Sequence, residues 1–284
     1  MKKYYILIIA LLFAALCLNV FGQTKPLPFE VKKSGQGKQS IVFIPGFASS
    51  GQVWDETKAV FEKNYTCYTF TMAGFADVKP LVNQPTFKAW ETAIANYIKD
   101  NKIEKPIIIG HSMGGGLALA IAADYPQLIQ KIVVVDALPC LSALMNPSFK
   151  AKSNNNCSET VQQITSMNDE QFKQMQKMTI PRLLADTMKH DLVVNWSMQS
   201  DRKTFAEMFC DFSNTDLRES IKNIQCPSLI LLEANFKGIH TSIEEQYRNL
   251  KTAQLQYANK GLHFIMYDDK EWYFTQLNNF LSPQ

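Results

Sequence analysis

The chain contains 284 residues, of which 46% are hydrophobic and 19% charged, a composition typical of a globular protein with one large core. Its formal net charge is +3 and its basic residues form no clustered patch, so we expect no nucleic-acid partner. The 12 glycines and 12 prolines are scattered, which excludes a fibrous or disordered chain, and the six cysteines are too irregularly spaced for a disulfide-built scaffold.

The N-terminal segment has the pattern of a secretory signal peptide. Lys2 and Lys3 precede an apolar run over residues 4–20, and Gly22 provides the small residue after which cleavage occurs. We therefore predict that residues 1–22 are removed and that the protein is exported, periplasmic or secreted, with no stable membrane insertion after cleavage. The alternatives are an uncleaved membrane anchor, because the run is just long enough to span a bilayer, and a lipoprotein modified at Cys17. No second apolar span follows, which favours cleavage.

Short apolar runs alternate with helical patterns at both ends of the chain. Strands are predicted over residues 41–44, 65–70, 106–110, 132–135, 227–232 and 255–258. Amphipathic or small-residue helices are predicted over residues 87–98 and 114–122. Continuous apolar strands separated by helices indicate a mostly parallel, doubly wound sheet covered on both faces, so the predicted fold class is α/β.

Residues 138–215 interrupt this alternation with helical patterns and no convincing strand. We predict that they form a helical lid inserted between two strands, above a core made of residues 23–137 and 216–284. The carboxyl edge of an open α/β sheet, where ligands bind, would lie beneath this lid. Seven of the 11 methionines fall in the lid segment, where they either provide an adaptable apolar surface or pack the lid helices together.

A serine lies in the G-x-S-x-G pattern, between a predicted strand and a predicted helix, in the sequence Gly110-His111-Ser112-Met113-Gly114. In this context a strained turn lifts the serine hydroxyl clear of the backbone, and larger side chains at the glycine positions would collide across the turn. The serine would also lie at a helix N-terminus, where backbone N–H groups favour developing negative charge. We predict that Ser112 is a nucleophile; the alternative is a passive serine in a glycine-rich turn.

The turn Pro45-Gly46-Phe47-Ala48 follows the first predicted strand directly. With this turn and the serine motif, the chain resembles the α/β-hydrolase fold family over essentially its whole length after the signal segment. The resemblance implies an oxyanion hole made by the backbone N–H groups of Phe47 and Met113, although a proline replaces the more usual histidine of the first turn. It also implies a small-molecule substrate and no cofactor. No cysteine–histidine cluster has zinc spacing, and neither a P-loop nor a dinucleotide fingerprint occurs, so no metal is expected.

A serine nucleophile needs a base, and the chain has four histidines. His263 lies between the last predicted strand and the final helix, which matches the loop that carries the base in the family. His111 adjoins the serine and is expected to pack at the turn, His190 falls in the lid, and His240 lies in a polar stretch. We predict that His263 takes the Ser112 proton and returns it to the leaving group.

Two strand ends offer the acid that would orient this histidine. Many relatives carry the acid after the fifth predicted strand, but Phe236 occupies the expected position and cannot orient an imidazole. Another branch of the fold places the acid one strand earlier, and Asp136 follows the fourth predicted strand directly. We favour Asp136 over Glu233, which comes directly after the fifth strand, as the group that holds the His263 tautomer.

The cysteines outside the signal segment have no diagnostic spacing. Cys67 alternates with aromatic residues and is predicted to be a buried strand residue. Cys140 and Cys157 flank a polar loop and are the candidate disulfide pair.

These features together predict an exported serine hydrolase. It would act on a small to medium carboxylic ester with an apolar part, through an acyl-enzyme on Ser112. One alternative is a lactone, amide or C–C bond hydrolase that uses the same triad. Another is a non-catalytic ligand-binding protein on a degenerate hydrolase fold, which the missing acid after the fifth strand would favour.

Overall fold

The computed structural model describes residues 26–83 and 86–282, so the predicted signal peptide lies outside the described residues. Within these residues, seven strands form one sheet in the order β1-β3-β2-β4-β5-β6-β7. The strands are β1 (Phe29–Ser34), β2 (Gln39–Ile44), β3 (Tyr65–Met72), β4 (Ile107–His111), β5 (Lys131–Val135), β6 (Ser228–Leu232) and β7 (Ala253–Tyr257). The α-helices of the described chain are α1 (Asp55–Phe61), α2 (Phe87–Asp100), α3 (Met113–Asp124), α4 (Ser158–Thr165), α5 (Asp169–Thr179), α6 (His190–Met198), α7 (Arg202–Ser213), α8 (His240–Tyr247), α9 (Ile265–Asp268) and α10 (Lys270–Leu281).

The sheet is mostly parallel, which confirms the predicted α/β class. Strands β2 to β7 pair in parallel, and only β1 of the described strands runs antiparallel, against β3. Strand β1 was not among the predicted strands. This strand carries charged residues and is largely exposed at the edge of the sheet, so it lacks the continuous apolar run that marks the central strands.

The two faces of the sheet are both buried. In β2, Val42 and Ile44 belong to one apolar cluster, whereas Ile41 and Phe43 belong to a second cluster on the opposite face. Helices α2 and α3 complete the first cluster, and α10 completes the second. This arrangement explains why the middle of each central strand is a continuous apolar run instead of an alternation with polar residues.

Helix α2 shows how the sequence pattern forms one of these covering layers. The hydroxyl of Thr86 accepts a hydrogen bond from the Ala89 N–H at 3.1 Å and caps the helix N-terminus. Trp90, Ile94 and Ile98 recur at helical spacing and are fully buried against the sheet. Burial of each such side chain contributes about 1.5–3 kcal/mol to folding.

The chain between β5 and β6 is helical, as its pattern predicts. It contains α4, α5, α6 and α7, joined by short turns, and residues 138–215 include no strand. A disulfide joins Cys157, at the start of α4, to Cys210 in α7. The candidate pairing of Cys140 with Cys157 is therefore wrong. Cys140 is fully buried shortly after β5, where its backbone N–H donates to the Gln246 side chain.

The remaining cysteines in the described chain are free and buried. Cys67 lies in β3 with no solvent exposure, in agreement with its predicted position inside a strand. Burial raises the pKa of Cys67 and of Cys226 to about 11, so both thiols stay protonated at neutral pH.

Across residues 26–83 and 86–282, every helix falls short of the length and apolarity that a membrane crossing requires.

Candidate active site

Ser112 occupies the turn between β4 and α3 in a strained backbone conformation. Its φ of 52° and ψ of −122° are rarely adopted by L-amino acids, and its N–H donates to the Val135 carbonyl at 2.9 Å. This geometry is the one that the G-x-S-x-G pattern requires, because it presents the serine at the carboxyl edge of the sheet.

The glycines around Ser112 are required by the close approach of three chain segments. A Cβ at Gly110 would lie 2.1 Å from the Gly114 carbonyl oxygen, and a Cβ at Gly114 would lie 2.3 Å from the Ile44 carbonyl oxygen. Both distances are shorter than any tolerated contact. The turn can therefore form only with glycine at these two positions.

Asp136 and His263 are brought together at the same edge of the sheet. His263 Nδ1 donates to Asp136 Oδ2 at 2.6 Å, and the Asp136 residue is only 4% exposed. The other carboxylate oxygen, Oδ1, accepts the Glu233 backbone N–H at 2.7 Å, and the Asp136 N–H donates to the Leu231 carbonyl at 2.7 Å. The carboxylate is thus held on both oxygens and leaves one tautomer for the imidazole, with its proton on Nδ1.

Glu233, the alternative acid, stands next to this pair without bonding to the imidazole. Its backbone N–H binds Asp136, while its partly buried side chain lines the cavity that also contains Ser112 and His263. Burial and the neighbouring Asp136 carboxylate raise the pKa of Glu233 to about 7. The structure therefore gives the two carboxyl groups different surroundings, and only Asp136 contacts the His263 ring.

The other histidines contact backbone carbonyls. His111 is 1% exposed, and its Nε2 donates to the His263 carbonyl at 3.0 Å, so it packs at the turn and also holds the loop that carries His263. Burial keeps the pKa of His111 well below its ordinary value, so the ring stays neutral. Within residues 138–215, His190 binds the Leu184 carbonyl at 2.7 Å, and outside that segment the exposed His240 binds the Lys237 carbonyl.

The two predicted oxyanion donors belong to residues near Ser112, since Met113 follows it in the chain and Phe47 lines the same cavity. In the described chain, neither the Phe47 N–H nor the Met113 N–H has a hydrogen-bond acceptor. Phe47 lies in the turn that follows β2 and lines the cavity, and Met113 provides the first N–H of α3. Two unpaired donors beside a serine are suited to binding an oxygen that carries negative charge.

The Phe47 ring is held by aromatic side chains from two directions. It packs against Phe75 with the ring centroids 5.2 Å apart, against Phe205 of α7 at 4.5 Å and against Phe209 of α7 at 5.7 Å. These contacts fix the loop that carries the Phe47 N–H. This contact could not be predicted from the sequence, because nothing in the pattern of α7 shows which loop the helix meets.

A cavity of about 550 Å³ opens beside Ser112, and most of its lining is apolar. Ser112, His263 and Glu233 lie on its wall, and much of the remaining wall comes from residues 138–215. Of the seven methionines in that segment, all within the described chain, one (Met175) lines the cavity, while Met145 and Met188 are more than four-fifths exposed. Aromatic and branched aliphatic side chains therefore dominate the wall.

Two consecutive aspartates position the loop that carries His263. Asp268 accepts the Leu262 N–H at 2.9 Å, and Asp269 accepts the N–H groups of Asn259 and Lys260 at 2.9 and 3.1 Å. Neither aspartate was among the predicted site residues. The signal that could have revealed them is the pair of aspartates a few residues after the candidate base.

No group of three or more His, Cys, Asp or Glu side chains within residues 26–83 and 86–282 is arranged to hold a metal ion.

A serine, a histidine and a buried carboxylate at the carboxyl edge of a mostly parallel sheet define a class of hydrolytic enzyme. The family described as alpha/beta hydrolase fold matches residues 39–269. The chain belongs to the α/β-hydrolase fold family, and it is a hydrolase.

Proteins similar to this chain include esterases. The pimeloyl-(acyl-carrier protein) methyl ester esterase of Wigglesworthia glossinidia brevipalpis is 22% identical over 203 residues, which are 71% of this chain and 76% of that protein. The dihydrolipoyllysine-residue acetyltransferase component of the acetoin cleaving system of Cupriavidus necator is 27% identical over 103 residues. That match covers 36% of this chain and only 28% of the length of the acetyltransferase component.

The fold is shared with solved structures at low sequence identity. The enol-lactonase from Burkholderia xenovorans superposes with a TM-score of 0.73 at 14% identity, over 90% of this chain and 96% of that one.

Proposed function

We propose that Ser112, His263 and Asp136 form a catalytic triad that hydrolyses a carboxylic ester. The observation that carries this proposal is the 2.6 Å hydrogen bond from His263 Nδ1 to the buried Asp136 carboxylate, in a cavity whose wall includes Ser112. With its proton on Nδ1, the imidazole keeps Nε2 free to accept the serine proton.

The reaction proceeds in two halves. Ser112 Oγ attacks the ester carbonyl as its proton passes to His263 Nε2, and the N–H groups of Phe47 and Met113 stabilise the oxyanion. The imidazolium then protonates the departing alcohol and leaves an acyl-enzyme on Ser112. A water molecule attacks this acyl group with His263 again as base, which releases the carboxylic acid and restores the serine.

We propose that the substrate is small to medium and has an apolar part. A cavity of about 550 Å³ with a mostly apolar wall supports this assignment, and so does the similarity to methyl ester esterases. Residues 138–215 act as the lid of the site in this proposal. The support is that Leu144, Ile164 and Phe205, all from that segment, contribute to the cavity wall.

Labelling with a fluorophosphonate tests the nucleophile. We expect the wild-type protein to be labelled and Ser112→Ala to be neither labelled nor active. Ser197 also lies on the cavity wall, so Ser197→Ala serves as the matched control and is expected to remain labelled. Equal labelling of Ser112→Ala and wild type would overturn the assignment.

A series of uncharged 4-nitrophenyl esters tests the apolar part of the substrate. Because each buried methylene contributes about 0.8 kcal/mol, kcat/KM is expected to rise by up to about fourfold per added methylene until the cavity is filled. Values that fall from the shortest chain onward would overturn this part of the proposal.

We also propose that the protein is exported after removal of residues 1–22. The basic and apolar pattern of that segment supports export, and so does the Cys157–Cys210 disulfide, since such bonds persist in oxidising compartments. Cell fractionation and the intact mass of the mature protein test the proposal. An unprocessed chain in the cytoplasm would overturn it.

A further inference from the structure

A second carboxyl group lies in the cavity and has no part in the proposed reaction. Glu233 follows β6 directly, and its backbone N–H is held by Asp136 Oδ1 at 2.7 Å. Because this bond fixes the main chain at Glu233, the side chain starts from a fixed point on the cavity wall. It is partly buried there, in a mostly apolar lining that also includes Phe236 and Leu138.

The Glu233 carboxyl group has no hydrogen-bond or ion-pair partner among residues 26–83 and 86–282. The charged or titratable groups that act on it are Asp136, which follows β5, and His263 and Asp268, which both come from the segment after β7. His263 Nδ1 is already bonded to Asp136, and Asp268 accepts three backbone N–H groups, one of them from Leu262. None of these groups offers a proton to Glu233.

The Glu233 carboxyl group is only partly buried, so water hydrates it in part. A hydrogen-bond donor on a bound molecule would replace that partial hydration in a mostly apolar surrounding, where a hydrogen bond is stronger than in water. Two carboxylates, Asp136 and Asp268, lie near Glu233, so a further negative charge would be repelled there and a positive one attracted. The site therefore discriminates by chemistry as well as by shape.

We propose that Glu233 is a specificity residue that accepts a hydrogen bond from a donor group on the substrate, either an ammonium or a hydroxyl group. The inference rests on the proposed ester hydrolysis at Ser112 and adds a feature of the substrate to it. The substrate carries its donor group on the acyl or the alcohol part, in addition to the apolar portion that fills the cavity.

The two donor groups differ in how they respond to pH. Burial and the Asp136 charge raise the pKa of Glu233 to about 7, so the carboxyl group is neutral at lower pH and negative at higher pH. An ammonium group gains from the negative form. Its advantage over a methyl group therefore grows as pH rises through about 7, whereas a hydroxyl group can bind either form.

The test uses two series of 4-nitrophenyl or alkyl esters of equal chain length that end in methyl, hydroxymethyl, ammonium or carboxylate. One series carries the end group on the acyl part and the other on the alcohol. In one series, we expect the ammonium or the hydroxyl substrate to exceed the methyl substrate in kcat/KM by on the order of tenfold. The carboxylate substrate is expected to be the poorest. Within one series, all substrates are affected equally by the protonation of His263. Ratios of kcat/KM between substrates at the same pH are therefore independent of it.

Two substitutions at Glu233 separate the donor classes. Glu233→Gln keeps an acceptor oxygen and loses the charge, so a preference for ammonium should disappear, whereas a preference for hydroxyl should remain. Glu233→Met has a similar length and no acceptor oxygen, so either preference should disappear. Glu244→Gln removes a charge from an exposed position on α8 and is expected to leave every ratio unchanged.

The inference is overturned if neither donor-bearing substrate exceeds the methyl substrate in either series, or if Glu233→Met keeps the preference. If the variants do not fold, the pH dependence of the wild-type ammonium-to-methyl ratio still tests whether an ammonium preference depends on Glu233. An ammonium-to-methyl ratio that stays flat across pH 7 would contradict its dependence on Glu233. Failure of the wild-type protein to hydrolyse the methyl-ended esters, or full activity of Ser112→Ala, would instead overturn the proposed function.

Discussion

Replacement of Asp136 by asparagine tests which carboxyl group orients His263. The Asp136 carboxylate uses separate oxygens for its two partners, Oδ1 for the Glu233 N–H and Oδ2 for His263 Nδ1. An asparagine has one oxygen and one NH₂ group, so it can serve only one of these donors. Its backbone is compatible with the site, because Asp136 has a φ of 48° and asparagine tolerates positive φ.

The expected loss follows from where the asparagine oxygen must go. The Glu233 N–H can only donate, so the oxygen stays on it and the NH₂ group faces His263. Nδ1 must then accept, which moves the imidazole proton to Nε2, the nitrogen that would take the Ser112 proton. In a serine triad this wrong tautomer lowers kcat by about 10⁴-fold, equivalent to about 5.4 kcal/mol of transition-state stabilisation.

The assay compares kcat and KM of Asp136→Asn and Glu233→Gln on an uncharged 4-nitrophenyl ester, with circular dichroism to confirm folding. The Glu233 substitution is the matched control, since it also exchanges a carboxyl for an amide on the same cavity wall. It is expected to change kcat by less than about tenfold. A loss below about a hundredfold for Asp136→Asn, or an equal loss for Glu233→Gln, would refute the reasoning.

Three further substitutions or treatments test the frame around the site. Reduction of the Cys157–Cys210 bond, which spans 53 residues, should lower the free energy of unfolding by about 4 kcal/mol, as measured by thermal unfolding. A control protein with both cysteines changed to serine should not respond to reductant. Gly114→Ala should yield no folded protein by circular dichroism, because its Cβ would meet the Ile44 carbonyl at 2.3 Å; a soluble, active variant would contradict this. Because the pKa of Glu233 is raised, the contribution of this group to the stability of the wild-type protein falls as pH rises from 4.5 through about 7. Glu233→Gln should therefore gain Tm relative to wild type over that interval. Parallel Tm profiles of the two proteins would contradict this.

The central strands and the Ser112 turn could be predicted because their signals are local. An uninterrupted apolar run predicts a strand buried on both faces, and glycines at two fixed offsets predict the tight turn without knowledge of the rest of the fold. The edge strand β1 could not be found in this way. Three of its six residues are charged, so it has no continuous apolar run, and its place in the sheet is defined by its pairing with β3.

The choice between two carboxyl groups depends on tertiary geometry. Asp136 and Glu233 both follow parallel strands, β5 and β6, which are neighbours in the sheet. Their sequence contexts are therefore alike, and only the position of the His263 loop distinguishes them. The disulfide partner of Cys157 was missed for a similar reason, since Cys210 lies in a different helix and the pairing depends on how α4 packs against α7.

The segment between β5 and β6 contacts the loop that carries Phe47 and also contributes to the cavity wall. Phe205 and Phe209 of α7 pack against the Phe47 ring, so the loop that carries the Phe47 N–H is held between the sheet and this helix. The disulfide fastens α7 to the start of α4. Displacement of α7 would therefore release the loop that carries one of the two proposed oxyanion donors, along with part of the cavity wall.

The same segment also holds the side of the site that carries His263. Asp268 accepts the N–H groups of Ala185 and Asp186 from the segment, and it accepts the Leu262 N–H from the loop that carries His263. The Asp268 carboxylate thus joins residues 138–215 to Leu262, the residue that precedes His263. Since residues 138–215 contact both the Phe47 loop and the His263 loop, we expect a displacement of this segment to disturb both loops. Changes within it should alter the rate of reaction together with substrate choice, because positions of reacting groups that shift by about 1 Å cost on the order of a hundredfold in rate.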